Sequence, residues 1–226
     1  MFKYETHLHT YPVSKCAKAG IRESLEFYKS KGYDGVFVTN HFIDANINID
    51  KTLPYKEKIE FYFSDYEEGV KIAKEIGIKV FSGVEIAYNS THFLIYGLDK
   101  EWYLSHPEIE DMPKADELKL MEECGALIIQ AHPFREWRPT EPIRLYPRMV
   151  HGVEIDNSSQ TDVANDMAKK YADSYELIPF AGSDNHSAGK HKRLAGIITD
   201  EPVRDEAHFM ELVKSKKTQT FTLENK

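Results

Sequence analysis

Short apolar runs and amphipathic segments alternate along nearly the whole chain. Apolar runs of four to six residues that are rich in Val, Ile and Phe are typical of strands buried on both faces of a sheet. Because strands that alternate with helices form parallel sheets, this pattern predicts an α/β sheet or barrel with its helices on the outside. The predicted strands are residues 35–38, 79–82, 126–129, 152–155 and 177–180.

The intervening segments carry apolar residues at the spacing of one helix face. Gly32, Gly77 and Gly125 are predicted to end the first three of these helices. Cys124, at the end of the third helix, is predicted to be buried. The apolar faces are Ile21, Leu25 and Tyr28; residues 59–76; Leu118, Met121 and Cys124; Val163, Met167 and Tyr171; and Phe209 with Val213.

Polar, metal-ligating residue types follow several of the predicted strands directly. His41 comes after the strand at 35–38, and His132 after the strand at 126–129. Asp184 and His186 come after the strand at 177–180. Barrel active sites gather at the C-terminal ends of the strands, so these side chains are predicted to share one site.

A His-x-His pair near the start of the chain, His7 and His9, adds to this set. Alternate residues of a strand face the same way, so both imidazoles are predicted to point toward one ion. Glu85 lies in an apolar run, where an unpaired carboxylate is costly to bury. Together with His92 these residues exceed the needs of one mononuclear site, which predicts two or three divalent ions (Zn, Mn or Fe) bridged by a carboxylate.

The order of these motifs resembles the PHP (polymerase and histidinol phosphatase) family from His7 to His186. The resemblance implies one PHP domain over residues 1–226, folded as a distorted (β/α)7, TIM-like barrel with the metal site at the C-terminal strand ends. It also implies a trinuclear centre and a phosphoesterase activity. By motif, the ligands would be His7, His9 and Asp184 for the first ion, Glu85 as the bridge, His92 and His132 for the second, and His41 and His186 for the third.

One segment departs from the family pattern. Many relatives place a further His, Asp or Glu shortly after the His-x-His pair, where it helps to hold the third ion. Here that segment contains Lys15 and Cys16 and neither a histidine nor a carboxylate. Cys16 is either a thiolate ligand or a packed thiol, and Lys15 would repel a third cation or attract a phosphate.

Three basic residues near the motifs are candidate substrate-binding groups. Arg135 follows the His132 motif, and its planar guanidinium is suited to grip two phosphate oxygens. Lys190 and Arg193 follow the Asp-x-His motif, and a solvated basic loop is the alternative for both. The four remaining histidines are predicted to lie outside the site, with two of them, His106 and His208, on the surface; the other two are His151 and His191.

These features predict a metal-dependent hydrolase that acts on a small phosphomonoester, such as a nucleotide or a sugar or amino-alcohol phosphate. Hydroxide formed from water at the metal centre would attack phosphorus in line. The alternatives are a metal-dependent amide hydrolase on the same fold and a non-catalytic metal-binding accessory module. No nucleophilic Ser or Cys is needed in the phosphoesterase mechanism.

Composition sets the remaining expectations. A net charge of −8 gives no support to a broad nucleic-acid-binding surface. Two cysteines are too few for a disulfide framework, and no apolar run approaches the ~18 residues of a membrane span. With no signal-peptide pattern at the N-terminus, a cytoplasmic enzyme is expected, and its oligomeric state is left open.

Overall fold

The structure is a computed structural model that describes residues 1–136 and 140–225. The described residues form nine strands and six α-helices. The strands are β1 (Phe2–Leu8), β2 (Gly35–Val38), β3 (Lys79–Tyr88), β4 (Thr91–Tyr96), β5 (Leu127–Ala131), β6 (Gly152–Asn157), β7 (Ile178–Gly182), β8 (Arg193–Thr199) and β9 (Thr218–Glu224). The helices are α1 (Ile21–Ser30), α2 (Tyr55–Ile76), α3 (Lys100–Ser105), α4 (Lys114–Glu123), α5 (Asp162–Tyr175) and α6 (Glu206–Lys214).

All nine strands belong to one sheet, in the order β7-β6-β5-β4-β3-β2-β1-β8-β9. The pairs β1–β2, β2–β3, β5–β6 and β6–β7 are parallel. The pairs β3–β4, β4–β5, β1–β8 and β8–β9 are antiparallel. The predicted α/β fold is confirmed, and the sheet is nearly closed and barrel-like, but the predicted count of seven β/α units is not confirmed.

The β3–β4 hairpin departs from the strand–helix alternation that the seven-unit prediction assumes. Its two turn residues, Asn89 and Ser90, have φ values of 48° and 62°. Positive φ at both turn positions matches the right-handed twist of the flanking strands and allows a two-residue hairpin. β4 therefore runs antiparallel directly beside β3, with no helix between them.

The sheet closes where the end of β1 meets the chain that follows β7. The backbone N–H of His9 donates to the carbonyl of Asn185 at 3.0 Å, and the N–H of Asn185 donates to the carbonyl of His7 at 3.3 Å. Gly182 makes this approach possible, because a Cβ there would lie 2.5 Å from the Cβ of His7. Closure thus depends on the absence of a side chain at this position.

Aromatic side chains fill the end of the barrel opposite the C-terminal ends of the parallel strands. They come from β1, β2, β3, β4 and β7, and they converge on Phe209 of α6. The ring of Phe209 lies 4.3 Å from that of Phe37, measured between centroids. α6 therefore covers this end of the barrel, as the predicted apolar face of Phe209 and Val213 requires, and both residues are buried. The converging aromatic residues are Tyr4, Phe37, Phe81, Tyr96 and Phe180.

The outer helices confirm one further predicted face and correct another. Ile21, Leu25 and Tyr28 of α1 are buried, and α2 packs beside them. On α5, however, Val163 is 65% exposed and Met167 is 40% exposed. The buried face of α5 consists of Ala164, Ala168, Tyr171 and Ala172, whose small side chains let the helix lie close to β6.

Two further sequence predictions were wrong. Cys124 is exposed, and it lies at the C-terminal cap of α4. His208 is buried although it lies on a terminal helix, and its Nδ1 accepts the backbone N–H of Arg204 at 3.2 Å. Among the described residues, no helix has both the length and the apolar character required to cross a membrane.

We expect Gly182→Ala to lower the free energy of unfolding by roughly 1–3 kcal/mol, the usual cost of an added group in a packed site. The new methyl group would collide with His7 and with Glu154, whose Oε1 would lie 2.9 Å away. Urea denaturation measures the change. Gly189→Ala is the matched control, since its nearest atom would be 3.7 Å away. Equal stability of Gly182→Ala and the unsubstituted chain would contradict this account of closure.

Candidate metal centre

His7, His9 and Asp184 converge where β1 and β7 come together. The alternation along β1 points both imidazoles to one side, with their Nε2 atoms 3.2 Å apart. Asp184 follows β7 in a left-handed turn (φ 53°). Its Oδ1 lies 3.5 Å from Nε2 of His7 and 3.4 Å from Nε2 of His9. Three potential ligand atoms thus face one point.

Glu85 lies at the middle of the cluster and is fully buried. Its Oε1 lies 3.3 Å from Nε2 of His7, and its Oε2 lies 3.4 Å from Nε2 of His9. The same carboxylate approaches three more imidazoles. These are His92 (Nδ1 at 2.8 Å), His132 (Nε2 at 3.5 Å) and His41 (Nδ1 at 2.5 Å). One carboxylate therefore lies close to five imidazoles from four segments of the chain.

His92 reaches this edge of the barrel because β4 is antiparallel. It is the second residue of β4, so the start of that strand lies at the edge where the parallel strands end. In the sheet it pairs with Ala131, the residue directly before His132. The antiparallel register thus places His92 and His132 side by side.

His41 and His186 lie on the outer side of His9. Their ring centroids are 4.3 Å and 4.2 Å from that of His9. His186 Nδ1 donates to the backbone carbonyl of Asp184 at 2.9 Å. All eight residues singled out from the sequence as ligands are therefore brought together, in overlapping groups of three: His7, His9 and Asp184; His7, Glu85 and His132; His41, Glu85 and His92; and His9, His41 and His186.

Glu154 supports this cluster and was not singled out from the sequence. Nδ1 of His7 donates to Glu154 Oε1 at 3.0 Å, and this contact orients the ring with Nε2 toward the cluster. Glu154 Oε2 accepts from the backbone N–H of His132 at 3.0 Å and from Asn157 Nδ2 at 2.8 Å. A signal did exist, because Glu154 is a carboxylate inside the buried strand predicted at residues 152–155.

Ser14 orients the second imidazole in a similar way. Its hydroxyl donates to Asn40 Oδ1 at 2.7 Å, so its oxygen accepts from Nδ1 of His9 at 3.1 Å. The same oxygen accepts the backbone N–H of His41 at 3.0 Å. Nε2 of His9 therefore faces the cluster, where it is available as a metal ligand.

Electrostatics keep the two central carboxyl groups ionised. Burial alone would raise the pKa of Glu85, but the surrounding imidazoles, His92 and His41 first among them, hold it well below its usual range. The pKa of Asp184 is also held well below its usual range against burial, chiefly by His7. Burial lowers the pKa of His9 and that of His132, which favours their neutral, ligating forms.

Three buried atoms at the centre have no hydrogen-bond partner among the described residues: Glu85 Oε2, His41 Nδ1 and His132 Nε2. His41 Nδ1 and Glu85 Oε2 lie close but outside hydrogen-bond geometry. Leaving such a group unsatisfied costs about 1–3 kcal/mol each. Imidazole and carboxylate side chains that face one another at these distances are the donor set of Zn, Mn or Fe, so these residues fit divalent ions.

A cavity of about 330 Å³ opens beside the cluster. Arg135, the strongest of the predicted substrate-binding residues, contributes to its wall, together with His41, His92 and His186. Lys190 is exposed on the short 3-10 turn that follows the Asp-x-His motif. Arg193 is held by Asp162, at 2.5 Å, and by the carbonyl of Gln160, and it is not part of this wall.

Comparison with known proteins finds one matching family model and several solved structures with a similar fold. Residues 163–218 match the model of a PHP-associated family. No curated protein sequence is detectably similar to this chain. A two-domain protein from Bacteroides vulgatus that contains a predicted PHP-like metal-dependent phosphoesterase has a similar fold, with a TM-score of 0.70 and 16% identity. The match covers 97% of this chain and 64% of that protein.

Two further solved structures share the fold. An amidohydrolase from Chromobacterium violaceum, with bound sulfate, has a TM-score of 0.58 and 14% identity, over 96% of this chain and 97% of that one. A lesion-specific endonuclease from Pyrococcus furiosus has a TM-score of 0.61 and 14% identity, over 97% of this chain and 57% of that one. The predicted resemblance to the PHP family is confirmed by the family match over residues 163–218 and by the PHP-like fold.

We expect Glu154→Gln to weaken divalent-metal binding about 10- to 100-fold, the usual effect of losing a carboxylate that orients a ligating histidine. The amide can still accept from His7, but it removes the negative charge that favours the Nδ1–H tautomer. Isothermal titration with Zn²⁺ measures the affinity. Asp156→Asn is the matched control on the same strand, since Asp156 contacts Thr222 and Asn165 instead. Unchanged affinity in Glu154→Gln would contradict the assigned role.

Proposed function

We propose that this chain is a metal-dependent phosphoesterase that hydrolyses a small phosphomonoester, such as a nucleotide or a sugar or amino-alcohol phosphate. The observation that carries the proposal is the arrangement around Glu85. Eight imidazole and carboxylate side chains converge there, beside a cavity whose wall includes the cationic Arg135. Metal donors and a phosphate-binding group thus face the same space.

The proposed ligand roles are those that the resemblance to the PHP family implies for the residues of this cluster. His7, His9 and Asp184 would hold one ion, and Glu85 would bridge it to a second. His92 and His132 would complete the second site, and His41 with His186 would hold a third. Ions bound there lower the pKa of water toward about 7 and neutralise charge on the phosphoryl oxygens.

The protein side chains supply position and charge. Glu154 and Ser14 fix the imidazoles of His7 and His9 so that their Nε2 atoms face the centre. Because these contacts exist before substrate binds, little reorganisation is needed during the reaction. Arg135 would bind the phosphate oxygens through two parallel hydrogen bonds and so align phosphorus for in-line attack.

The size and charge of the site favour a small substrate. A cavity of about 330 Å³ lies at the lower end of the range for small-molecule sites. The endonuclease neighbour raises the question of a nucleic-acid substrate, but a net charge of −8 disfavours a long polyanion. A single phosphate group held between cations is the better match.

The amidohydrolase neighbour gives a specific reason to keep amide hydrolysis as a second candidate. The same centre would activate water for attack on a carbonyl carbon, and Arg135 would then bind a carboxylate of the substrate. A non-catalytic metal-binding module is the third candidate. The three differ in which bond, if any, is cleaved by the metal-loaded protein.

We expect the chain reconstituted with Mn²⁺ or Zn²⁺ to hydrolyse p-nitrophenyl phosphate faster than bis-p-nitrophenyl phosphate, and to leave p-nitroacetanilide intact. Chelation should abolish the activity, and renewed addition of metal should restore it. Release of nitrophenol or nitroaniline is measured by absorbance. Turnover of the amide alone would refute the phosphoesterase proposal, and no turnover by protein with bound metal would favour the module.

Two control variants for this assay replace proposed metal ligands with side chains of nearly the same shape. Glu85→Gln and Asp184→Asn replace the two central carboxylates with neutral amides of nearly equal size. Both should lose metal loading, measured by plasma emission spectroscopy, together with turnover. Activity close to that of the unsubstituted chain in either variant would show that the centre is wrongly assigned.

Arg135→Ala is expected to lower kcat/KM for the phosphomonoester about 10- to 100-fold. Hydrogen bonds to a charged group contribute about 1.5–3 kcal/mol, and each 1.4 kcal/mol is tenfold in rate. Steady-state kinetics with metal-loaded protein measure the effect. Arg22→Ala is the control, because Arg22 pairs with Glu75 on the surface of α1 and α2. If Arg135→Ala has the same kinetics as this control, Arg135 does not bind the phosphate as proposed.

A further inference from the structure

Asp65 of α2 is a buried carboxylate that the proposed chemistry does not use. Its Oδ2 accepts from the hydroxyl of Thr10 at 2.7 Å and from Nδ2 of Asn40 at 3.4 Å. Both residues belong to segments that carry proposed metal ligands, since Thr10 directly follows His9 and Asn40 directly precedes His41. Asp65 thus connects α2 to two of the segments that form the metal centre.

The side-chain amide of Asn40 is held in one orientation. Its Oδ1 accepts the backbone N–H of Thr10 at 2.7 Å, and its Nδ2 donates to the hydroxyl oxygen of Thr10 at 2.9 Å. That oxygen is able to accept because the hydroxyl proton of Thr10 is directed at Asp65. If the amide turned over, its NH2 group would face the backbone N–H of Thr10 and its oxygen would face the carboxylate of Asp65. Both contacts would be repulsive.

The orientation of Asn40 determines where the proton of Ser14 points. Oδ1 of Asn40 can only accept, so the hydroxyl of Ser14, at 2.7 Å, donates to it. The Ser14 oxygen then accepts the backbone N–H of His41 at 3.0 Å and Nδ1–H of His9 at 3.1 Å. Burial lowers the pKa of His9, which favours the neutral ring. In that ring, a proton on Nδ1 leaves Nε2 free to bind a metal ion.

We propose that Asp65 is a positioning residue that sets the tautomer of His9 through Thr10, Asn40 and Ser14. The proposal rests on the metal centre put forward under the proposed function. No proton moves along this series of hydrogen bonds, because the carboxylate acts by fixing which atom of each contact donates. His9 is thereby prepared for metal binding, whereas a ring protonated at Nε2 would first have to release that proton.

Removal of the carboxylate should have a defined effect on the series. In Asp65→Leu, which has nearly the same shape, the hydroxyl of Thr10 loses the acceptor of its proton. Asn40 can replace this acceptor if its amide turns over, and its NH2 group would then donate to Ser14. The hydroxyl of Ser14 would in turn donate to Nδ1 of His9, which favours the tautomer protonated at Nε2. Because the backbone N–H of Thr10 opposes this reversal, we expect both tautomers to be populated.

Nitrogen-15 NMR of the metal-free chain at neutral pH tests the proposal without any substrate. Two-bond correlations between ring nitrogens and carbon-bound ring protons distinguish the protonated from the unprotonated nitrogen of each imidazole. The signals lost in His9→Gln assign His9 among the ten histidines. The unsubstituted chain should show His9 protonated at Nδ1, and Asp65→Leu should show both tautomers. Isothermal titration should give about tenfold weaker Zn²⁺ binding for Asp65→Leu.

Tyr62→Phe is the matched control for a general disturbance of α2. Tyr62 lies one turn before Asp65, and its hydroxyl contacts the backbone carbonyls of Asn40 and Gly83 without taking part in the series. This variant should keep the single tautomer of His9. Asp65→Asn, which retains an acceptor oxygen, should keep it as well.

The tautomer of the unsubstituted chain is a test that needs no variant. His9 protonated at Nε2 there would overturn the proposal even if Asp65→Leu does not fold. A single Nδ1–H tautomer in folded Asp65→Leu would also overturn it, as would mixed tautomers in Tyr62→Phe. If the tautomers are as expected but the unsubstituted chain does not bind Zn²⁺, the metal centre is refuted and the effect of Asp65 on His9 stands.

Discussion

The site depends on the interaction between the buried carboxylate of Glu85 and the imidazoles around it. This carboxylate approaches five imidazoles, contributed by β1, β4 and the segments that follow β1, β2 and β5. A carboxylate without partners at this depth would be costly, and so would this many imidazoles with no negative charge among them. Each half of the cluster thus makes the burial of the other half possible, and divalent ions would satisfy the atoms that remain without partners.

The observed form of the barrel brings these groups to one edge. Gly182 lets the end of β7 approach His7, and this closure sets Asp184 beside the His-x-His pair. At the opposite end, α6 covers the aromatic core with Phe209. Apolar packing therefore stabilises one end of the barrel, which leaves the other end to polar residues that serve the proposed chemistry.

Prediction from the sequence succeeded where the signal was local. Alternating strands and helices predicted the α/β fold. The polar residues that follow the strands, together with the His-x-His pair, Glu85 and His92, predicted the eight clustered side chains. It failed for α5, where the apolar residues Val163 and Met167 face solvent and alanines face the sheet. It also missed Glu154, because a carboxylate in a buried strand does not reveal which histidine it will orient.

The sequence by itself determined the donor types and their attachment to strand ends, since strand and helix periodicity depends on neighbouring residues. Tertiary structure decided which donors meet. The antiparallel register of β4 brings His92 to His132, and the closure of β7 on β1 brings Asp184 to His9. Tertiary structure likewise anchors the turn that carries Cys16 to two loops that are distant in the sequence. Such contacts depend on pairings between segments far apart in the chain, and no local pattern specifies them.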